Sequence, residues 1–498
     1  VTTPIYYVNA EPHLGHAYST IGADILARHM RQRGEDVFFV TGTDEHGEPV
    51  VIAADAQGTT PQELVDRNAP RFEALTQKID VTNDFFIRTT NPAHMAEVQS
   101  VWQRIHDNGY VYKGTYEGWY CPKCADFKSE HEIGEGNTCP IHHIALDRES
   151  EESWFFKLSA FQERLERQFA ENPGWVLPRH RYNEALAFIE GGLRDVALSR
   201  SKISWGIELP WDPSHVMYVW FDALLNYWTA PVIARPGADV WPATVQVMAK
   251  DILKFHAVYW PAMLMALGVP LPERLFVHGY LLMDGEKMSK SLGNVLDPNK
   301  VVDLYGSDAL RFYCFREVSF GNDGSISTEG FETRYNSELA NEYGNLASRT
   351  FAMIEKYRGG VVPARPERAG LEDDFGGAAD RLVSRIDALE LTVALEDVWT
   401  LVRRLNRFVE QRAPWKLAKD DAAAEQLDAT LYGLAEGLRV VSILLHPFIP
   451  RATATLLTAL GQGEQAGDLA VATFGAGDGG YRVQPLAPLF PKLENAGS

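Results

Sequence analysis

The sequence predicts an α/β protein: a Rossmann-like parallel-sheet domain, split by an inserted domain and followed by an all-α helical bundle. Three observations carry this reading. A β-branched and aromatic segment, an amphipathic helical segment and a buried apolar segment follow one another within roughly forty residues, and such a strand–helix–strand unit implies a right-handed crossover and a parallel sheet. The alternation breaks between about residues 111 and 215, where three of the four cysteines fall, and resumes beyond it. After about residue 331 the β signals largely stop and helical spacing takes over.

Residues 1–8 are β-branched and aromatic and predict the first strand, with Pro4 as an entry or edge residue. The polar turn 9–12 leads into a helix on which Ile21, Ile25, Leu26 and Met30 recur at helical spacing and which Gly34 ends. Residues 37–40 read as a buried strand. Downstream, 216–221 and 245–248 are predicted strands, 255–267 a helix stopped by Gly268, and 275–282 a further strand. The stretch between carries the cysteines, an aromatic strand at 154–156 and a charged helix over 159–171. Helical spacing over 339–357, 379–388, 392–411 and 427–445 predicts the bundle, with 359–377 as a long interhelix loop and a tail without periodicity from about 461. The expected domains are 1–110 and 216–282 for the two halves of the sheet domain, 111–215 for the insertion, 283–330 for the loop region after the sheet, 331–460 for the bundle and 461–498 for the tail. There is no internal repeat.

A length of 498 residues, 45% hydrophobic and 23% charged content fit a folded multi-domain protein and exclude disordered or fibrous classes. No apolar run reaches bilayer length and no signal-peptide pattern opens the chain, so a cytoplasmic protein without membrane partners is expected. The net charge of -20 argues against nonspecific adhesion to nucleic acid, though not against a local basic patch that holds one. Four cysteines cannot build a disulfide framework. Their clustering points to metal.

His13-Leu14-Gly15-His16 falls between the first strand and its helix, where carboxyl ends of parallel strands open a ligand crevice. Two imidazoles at a helix N-terminus can donate to phosphate oxygens, with Gly15 permitting close backbone approach. The alternative is a helix-capping pair. No Walker motif or GxGxxG occurs at this turn, which disfavours an ordinary P-loop or dinucleotide site. Lys287-Met288-Ser289-Lys290-Ser291 offers two lysines that can reach negative charge developing on a leaving pyrophosphate, or else is solvated surface. The pair of motifs is far more specific than either half. Cys121-Pro-Lys-Cys124 and Cys139-Pro-Ile-His142 have the spacing of a closed, structural Cys₃His zinc site, with His143 as an alternative fourth ligand and buried thiols as the other reading. Cys314 reads as a core residue.

With these motifs stand Gly42-Thr43-Asp44-Glu45-His46-Gly47, Tyr218-Val219-Trp220-Phe221-Asp222-Ala223, Lys250-Asp251-Ile252, Trp260-Pro261-Ala262-Met263-Leu264, Asn345-Leu346-Ala347-Ser348-Arg349 and Ala413-Pro414-Trp415. On them, and over nearly the whole chain, the sequence resembles the class I aminoacyl-tRNA synthetases and in detail the methionyl-tRNA synthetases. One departure is Ala249, where that family usually has Gly beside Lys-Asp.

The resemblance implies attack of the L-methionine carboxylate on the α-phosphate of ATP, with Mg²⁺ on the phosphates, and transfer of methionine to the 3′-terminal adenosine of tRNA(Met), initiator tRNA included. It assigns His13, Gly15, His16, Asp251, Leu281, Lys287 and Lys290 to ATP, with His13, His16, Lys287 and Lys290 catalytic. It assigns Ile5, Tyr7, Asp44, Trp220, Ala223, Leu224, Tyr227, Ile252 and His256 to methionine, with Asp44 paired to the α-ammonium group. Aromatics suit a thioether, because sulfur–aromatic contacts add to burial. Asn345, Arg349 and Trp415 are assigned to the anticodon, with Arg403, Arg404, Arg407, Arg412 and Lys416 as local positive charge. Cys121, Cys124, Cys139 and His142 hold one structural Zn²⁺. The resemblance also implies a monomer. The insertion is too short for a separate editing domain. Two rival readings are a small-molecule nucleotidylyltransferase sharing the HxGH site and a noncatalytic tRNA-binding paralogue. The long helical domain speaks against the first, and the intact histidines and lysines against the second.

Overall fold

The computed structural model describes residues 1–122, 126–128, 133–141, 143–283, 286–287 and 297–492, and for residues 116, 126, 127, 149, 286, 287 and 465 the backbone alone. The chain forms two compact units, Val1–Pro12, Phe38–Gln77 and Asn83–His278 in the first, and His13–Val37, Lys78–Thr82 and Gly279–Ser498 in the second. The helix after the first strand thus groups with the C-terminal part, a division that hydrophobic periodicity does not carry.

The first unit is built on a six-stranded sheet of β1 (Thr2–Tyr7), β2 (Val40–Asp44), β3 (Phe85–Arg88), β4 (Val176–Leu177), β5 (Gln246–Ala249) and β6 (Leu275–His278). Its order is β3-β2-β1-β5-β6-β4, and every pairing is parallel. Parallel strands are covered on both faces, which is why β2, Val-Thr-Gly-Thr-Asp, is buried along its whole length. Gly42 is required within it: a Cβ there would lie 2.0 Å from the Ile87 carbonyl oxygen of β3. The strand order reverses at β1, and the ligand crevice of such sheets lies beyond the carboxyl ends of the strands at that reversal. Tyr7 and Asp44, opposite one another in register, end β1 and β2.

The aromatic residues of the first unit form its main core. Trp102, on the helix Pro92–Asp107, packs edge-on against Phe156 and Phe221 and donates from Nε1 to the Phe221 carbonyl at 2.8 Å. The expected insertion carries an antiparallel sheet ordered Asp126–Lys128, Val111–Cys121, Asp147–Phe156, Val196–Ala197.

Four elements differ from the sequence reading. The predicted strand 216–221 is a strand, Asp212–Met217, followed by a helical turn, Val219–Ala223, on which Trp220 and Phe221 both enter the main core. The strand expected at 37–40 begins only at Val40. The strand expected over 275–282 is two, and the second, Leu281–Met283, pairs with Glu286–Lys287 and Gly324–Ile326 in another sheet. Val176–Leu177, inside the expected insertion, completes the main sheet beside β6.

The second unit holds α1 (Leu14–Gln32), Ser307–Glu317, Asn345–Arg358, Leu391–Arg412, Ala424–Leu445 and Pro450–Ala459 as its principal helices. The tail without periodicity is fixed by hydrogen bonds instead: Arg439 donates to the carbonyls of Val471 and Thr473 at 2.7 and 2.8 Å, and the Tyr432 hydroxyl to Gly477 at 2.6 Å. Among the described residues no helix is long and apolar enough to cross a membrane.

Candidate active site

At the carboxyl ends of β1, β2 and β5 the first unit gathers most of the residues assigned to methionine. The Trp220 ring lies face to face on Phe255, centroids 3.7 Å apart and planes 8° apart, and Tyr7 meets it edge-on at 6.4 Å. Ala223, Leu224 and Tyr227 follow Trp220 and are buried, while Ile252 is half-buried in the turn Lys250–Ile252 after β5. Ile5 packs partly with Phe38, Val40, Ile87 and Ala230, in a cluster separate from the one Tyr7 and Ile252 join. Asp251 is exposed and Ala249 half-buried.

His256 closes the pocket with a defined protonation state. Its Nδ1 lies 2.9 Å from the Ile252 carbonyl, which can only accept, so Nδ1 carries a proton. Burial pulls its pKa down to about 4, so the ring is neutral and its Nε2 accepts from the Tyr227 hydroxyl at 2.8 Å. Burial pushes the Tyr227 phenol up, which keeps it the donor. The Trp220 Nε1 proton is buried and meets no acceptor among the described residues.

Three buried carboxylates stand beside this pocket, and two are compensated. Glu45 accepts from both sides of the Arg88 guanidinium at 2.7 and 2.9 Å and from the Thr43 hydroxyl at 2.6 Å. Asp222 lies between the rings of His46 and His94 at 2.6 and 2.8 Å. Asp44 accepts the His46 backbone N–H, but its Oδ1 has no hydrogen-bond partner among the described residues. Burial first, then the negative charges of Asp222 and Glu45, push its pKa well above the carboxylate range. A buried carboxylate with an orphaned oxygen calls for an explanation, and a cationic ligand group is one partner that would satisfy it.

In the second unit, His13 caps the N-terminus of α1. Its Nδ1 accepts the Gly15 N–H at 3.1 Å, and the His13 N–H donates to Nδ1 of His16 at 3.1 Å, a reciprocal capping box. The rings stack at 3.8 Å. Because each Nδ1 accepts, each ring carries its proton on Nε2, a donor of the kind that can address an anion. The capping and phosphate readings of these histidines are therefore compatible. Leu281 is buried at the start of its strand, and Lys287 ends the hairpin strand paired with it. The Lys287 side chain and all of Lys290 lie outside the described residues.

On the helical part of the second unit, Asn345 is exposed and Arg349 donates to Glu410 at 2.8 Å, beside a groove lined by Arg349, Asn406, Arg407, Glu410 and Gln411. Trp415 is 37% exposed, in a turn that begins at Pro414 just after the left-handed Ala413. Arg404 is tied to Asp374 at 2.9 Å and Arg403 to Glu396, so of the expected basic cluster Arg407 is the one that lines the groove.

A family model described as tRNA synthetases class I (M) matches residues 1–151 and 145–351, and one described as the anticodon binding domain of methionyl tRNA ligase matches residues 362–496. The chain is 43% identical to a methionine–tRNA ligase of Caldanaerobacter subterraneus, over 99% of this chain and 78% of that one. It is also 43% identical to that of Streptomyces coelicolor, over 99% and 96%. The chain belongs to the methionyl-tRNA synthetase family. The crystal structure of Mycobacterium tuberculosis methionyl-tRNA synthetase bound by methionyl-adenylate superposes with a TM-score of 0.94 at 37% identity, covering 98% of this chain and 99% of that one.

Cys121 ends the strand Val111–Cys121 of the antiparallel sheet, and Cys139 lies between that strand and Asp147–Phe156. Cys121 and Cys139 are fully buried and form, with Leu146, a small core of their own over Trp119, Ile133 and Ile144. So small a core holds little apolar surface, and two thiols at its centre fit a metal-stapled module. Cys124 and His142 lie outside the described residues, and His143 is exposed. No group of three His, Cys, Asp or Glu side chains that could hold a metal occurs among the described residues. Sequence reasoning missed Phe255, His46, His94 and Asp222 as parts of this synthetase's site. Phe255 sits one residue before His256, a signal that spacing could have supplied. The histidine–aspartate cluster joins three distant segments: His46 and Asp222 stand in motifs that carry the resemblance, but only the fold brings His94 to them.

Proposed function

We propose that this chain performs its synthetase reaction with the residues assembled above. It is a methionine–tRNA ligase. A carboxylate oxygen of methionine attacks the α-phosphorus of ATP, the bond to the pyrophosphate oxygen breaks, and methionyl-adenylate forms. The terminal adenosine hydroxyl of tRNA(Met) then attacks the acyl carbon and AMP departs with the bonding electrons.

The observation that carries the assignment of residues is Asp44, buried, uncompensated and at the rim of an aromatic pocket. In this reading the α-ammonium group of methionine supplies its missing cation and the thioether chain enters beside Trp220, Phe255, Tyr7 and Tyr227. The neutral His256–Tyr227 pair presents no charge to an apolar side chain. His13 and His16 hold phosphate oxygens through Nε2–H, Asp251 takes the ribose, Ala249 and Leu281 bound the adenosine, and Lys287 and Lys290 stabilise the negative charge of the transition state. Mg²⁺ enters with ATP and shields its phosphates. ATP–pyrophosphate exchange with each of the twenty amino acids tests the reading: exchange with methionine alone supports it, exchange with another amino acid discards the pocket, and none at all shifts the weight to the rivals.

Anticodon bases are read on Asn345, Arg349 and Trp415. Stacking on an aromatic ring is worth about 1–3 kcal/mol per base, so Trp415→Ala should lower kcat/KM for tRNA about 5- to 150-fold while pyrophosphate exchange stays unchanged. Equal loss in both assays removes Trp415 from the anticodon site. Zn²⁺ would be held by Cys121, Cys124 and Cys139 with His142, or His143, as fourth ligand, and would supply a structural cross-link to the inserted module. Metal analysis should find about one zinc per chain, retained less well by Cys121→Ser. A stable, active preparation without zinc refutes this.

A further inference from the structure

His29 lies in the last turn of α1 and takes no part in the chemistry assembled above. It is 0% exposed, and neither of its ring nitrogens meets a hydrogen-bond partner among the described residues. A neutral imidazole carries one donor and one acceptor, so both are stranded; an imidazolium would strand two donors and a charge. Residues three and four apart share a helix face, and for His29 these are Gln32 and Arg33. The Gln32 amide donates to the carbonyls of Ile443 at 3.0 Å and Ala466 at 2.5 Å, and Arg33 pairs with Asp387 at 2.7 Å. His29 therefore stands on the face by which the end of the HxGH helix is seated on the helical part of the second unit. Two charged groups act on the ring, Arg33 on its own helix and Asp387 at the end of the helix Ala378–Asp387. The helix Ser307–Glu317, also packed on α1, has its charges committed elsewhere: Arg311 to Asp24, Asp308 to the N–H groups of Arg451 and Ala452, Arg316 to Glu338 and Glu317 to Arg334. The turn Gly463–Gly467 carries only Glu464, which is exposed.

We propose that this seat is an acid-sensitive latch with His29 as its sensor: the ring takes up a proton only when the end of α1 lifts from Ile443, Ala466 and Asp387 and lets water reach the imidazolium. Burial first, and then the charge of Arg33, pull the His29 pKa from its ordinary 6.5 down to about 4, against an upward pull from Asp387. The open form thus binds a proton that the seated form refuses. The seat is at full strength above the ordinary value and weakens as pH falls from 6.5 toward about 4. At about pH 5 the two values correspond to a loss of about 30-fold in the equilibrium between seated and open forms.

The experiment is amide hydrogen exchange on the full chain between about pH 7.5 and about pH 5, each rate divided by the intrinsic rate at that pH, in the unaltered protein, His29→Gln and His29→Leu. Glutamine keeps a polar side chain but does not titrate, and leucine removes both the titration and the stranded polar atoms. The expected result is that protection of the last turn of α1 falls with acid about 30-fold more in the unaltered protein than in either variant. At neutral pH His29→Leu should protect this turn better than histidine does, because no donor or acceptor is left unpaired. His446, whose Nδ1 lies 2.9 Å from the Thr453 hydroxyl, is likewise pulled down to about 4 by burial, but it is common to all three proteins and cancels in the comparison. An acid loss of equal size in all three overturns the proposal. So does a loss that depends on His29 but is spread evenly over the helices of the second unit, which is acid unfolding and not release of a seat. Should one variant fail to fold, the other makes the same comparison.

Discussion

Asp44→Asn lowers kcat/KM for methionine in pyrophosphate exchange by about 10²- to 4 × 10³-fold, with ATP KM little changed. The estimate comes from the cost of leaving one member of a buried charge pair without its partner, about 3–5 kcal/mol. Asparagine has nearly the shape of aspartate but presents an N–H₂ where the ammonium group needs an acceptor. Because Oδ1 of Asp44 bonds to nothing among the described residues, its removal breaks no internal hydrogen bond at that atom, and the folded chain should lose little stability. The prediction therefore separates binding from folding. An Asp44→Asn enzyme with ordinary methionine kinetics would remove this residue from the substrate site.

The second large effect is on stability, in the unit that carries the HxGH helix. Arg311, fully buried on the helix Ser307–Glu317, pairs with buried Asp24 of α1 at 2.7 Å. It also donates to the carbonyls of Pro447 at 2.7 Å, Phe448 at 3.0 Å and Ile79 at 3.1 Å. One guanidinium thus satisfies an anion and three backbone acceptors drawn from three other chain segments, a task suited to its planar, five-donor geometry. Arg311→Met should cost about 3–5 kcal/mol, since it strands those acceptors in a water-free interior. The measurement is the denaturant midpoint of the transition that reports on the second unit, and an unchanged midpoint refutes the role. The pH dependence has a definite sign. Burial pushes Asp24 up, but Arg311, Arg28 and Thr82 hold it below its ordinary value, so its contribution is present above the ordinary carboxylate range and fades as pH falls through the folded pKa.

The chemistry-bearing motifs were legible because each is local. His13 and His16 cap one helix, and that geometry follows from three residues of spacing. The helices of the C-terminal part were legible for the same reason, since an apolar stripe of period 3.6 declares itself in a single segment: 392–411 was expected and Leu391–Arg412 is found. The parallel sheet followed from strand–helix–strand alternation, although β4 escaped because two residues carry no period at all.

What sequence could not supply is the partner of a buried charge. Glu45 and Asp44 are neighbours in the chain with the same chemistry, yet Arg88 from β3 neutralises one while the other keeps an oxygen without a hydrogen-bond partner among the described residues. The turn at Val219–Ala223 read as a strand because its residues are apolar and β-branched or aromatic; only long-range packing bends it, since Phe221 must meet Trp102 while Trp220 must meet Phe255. By itself, then, the sequence determined most of the helices and parallel strands, and where along them the residues proposed for phosphate, methionine and zinc stand. Tertiary structure alone decided which carboxylate is left uncompensated and which histidines answer Asp222, because those are properties of distance between segments far apart in the chain.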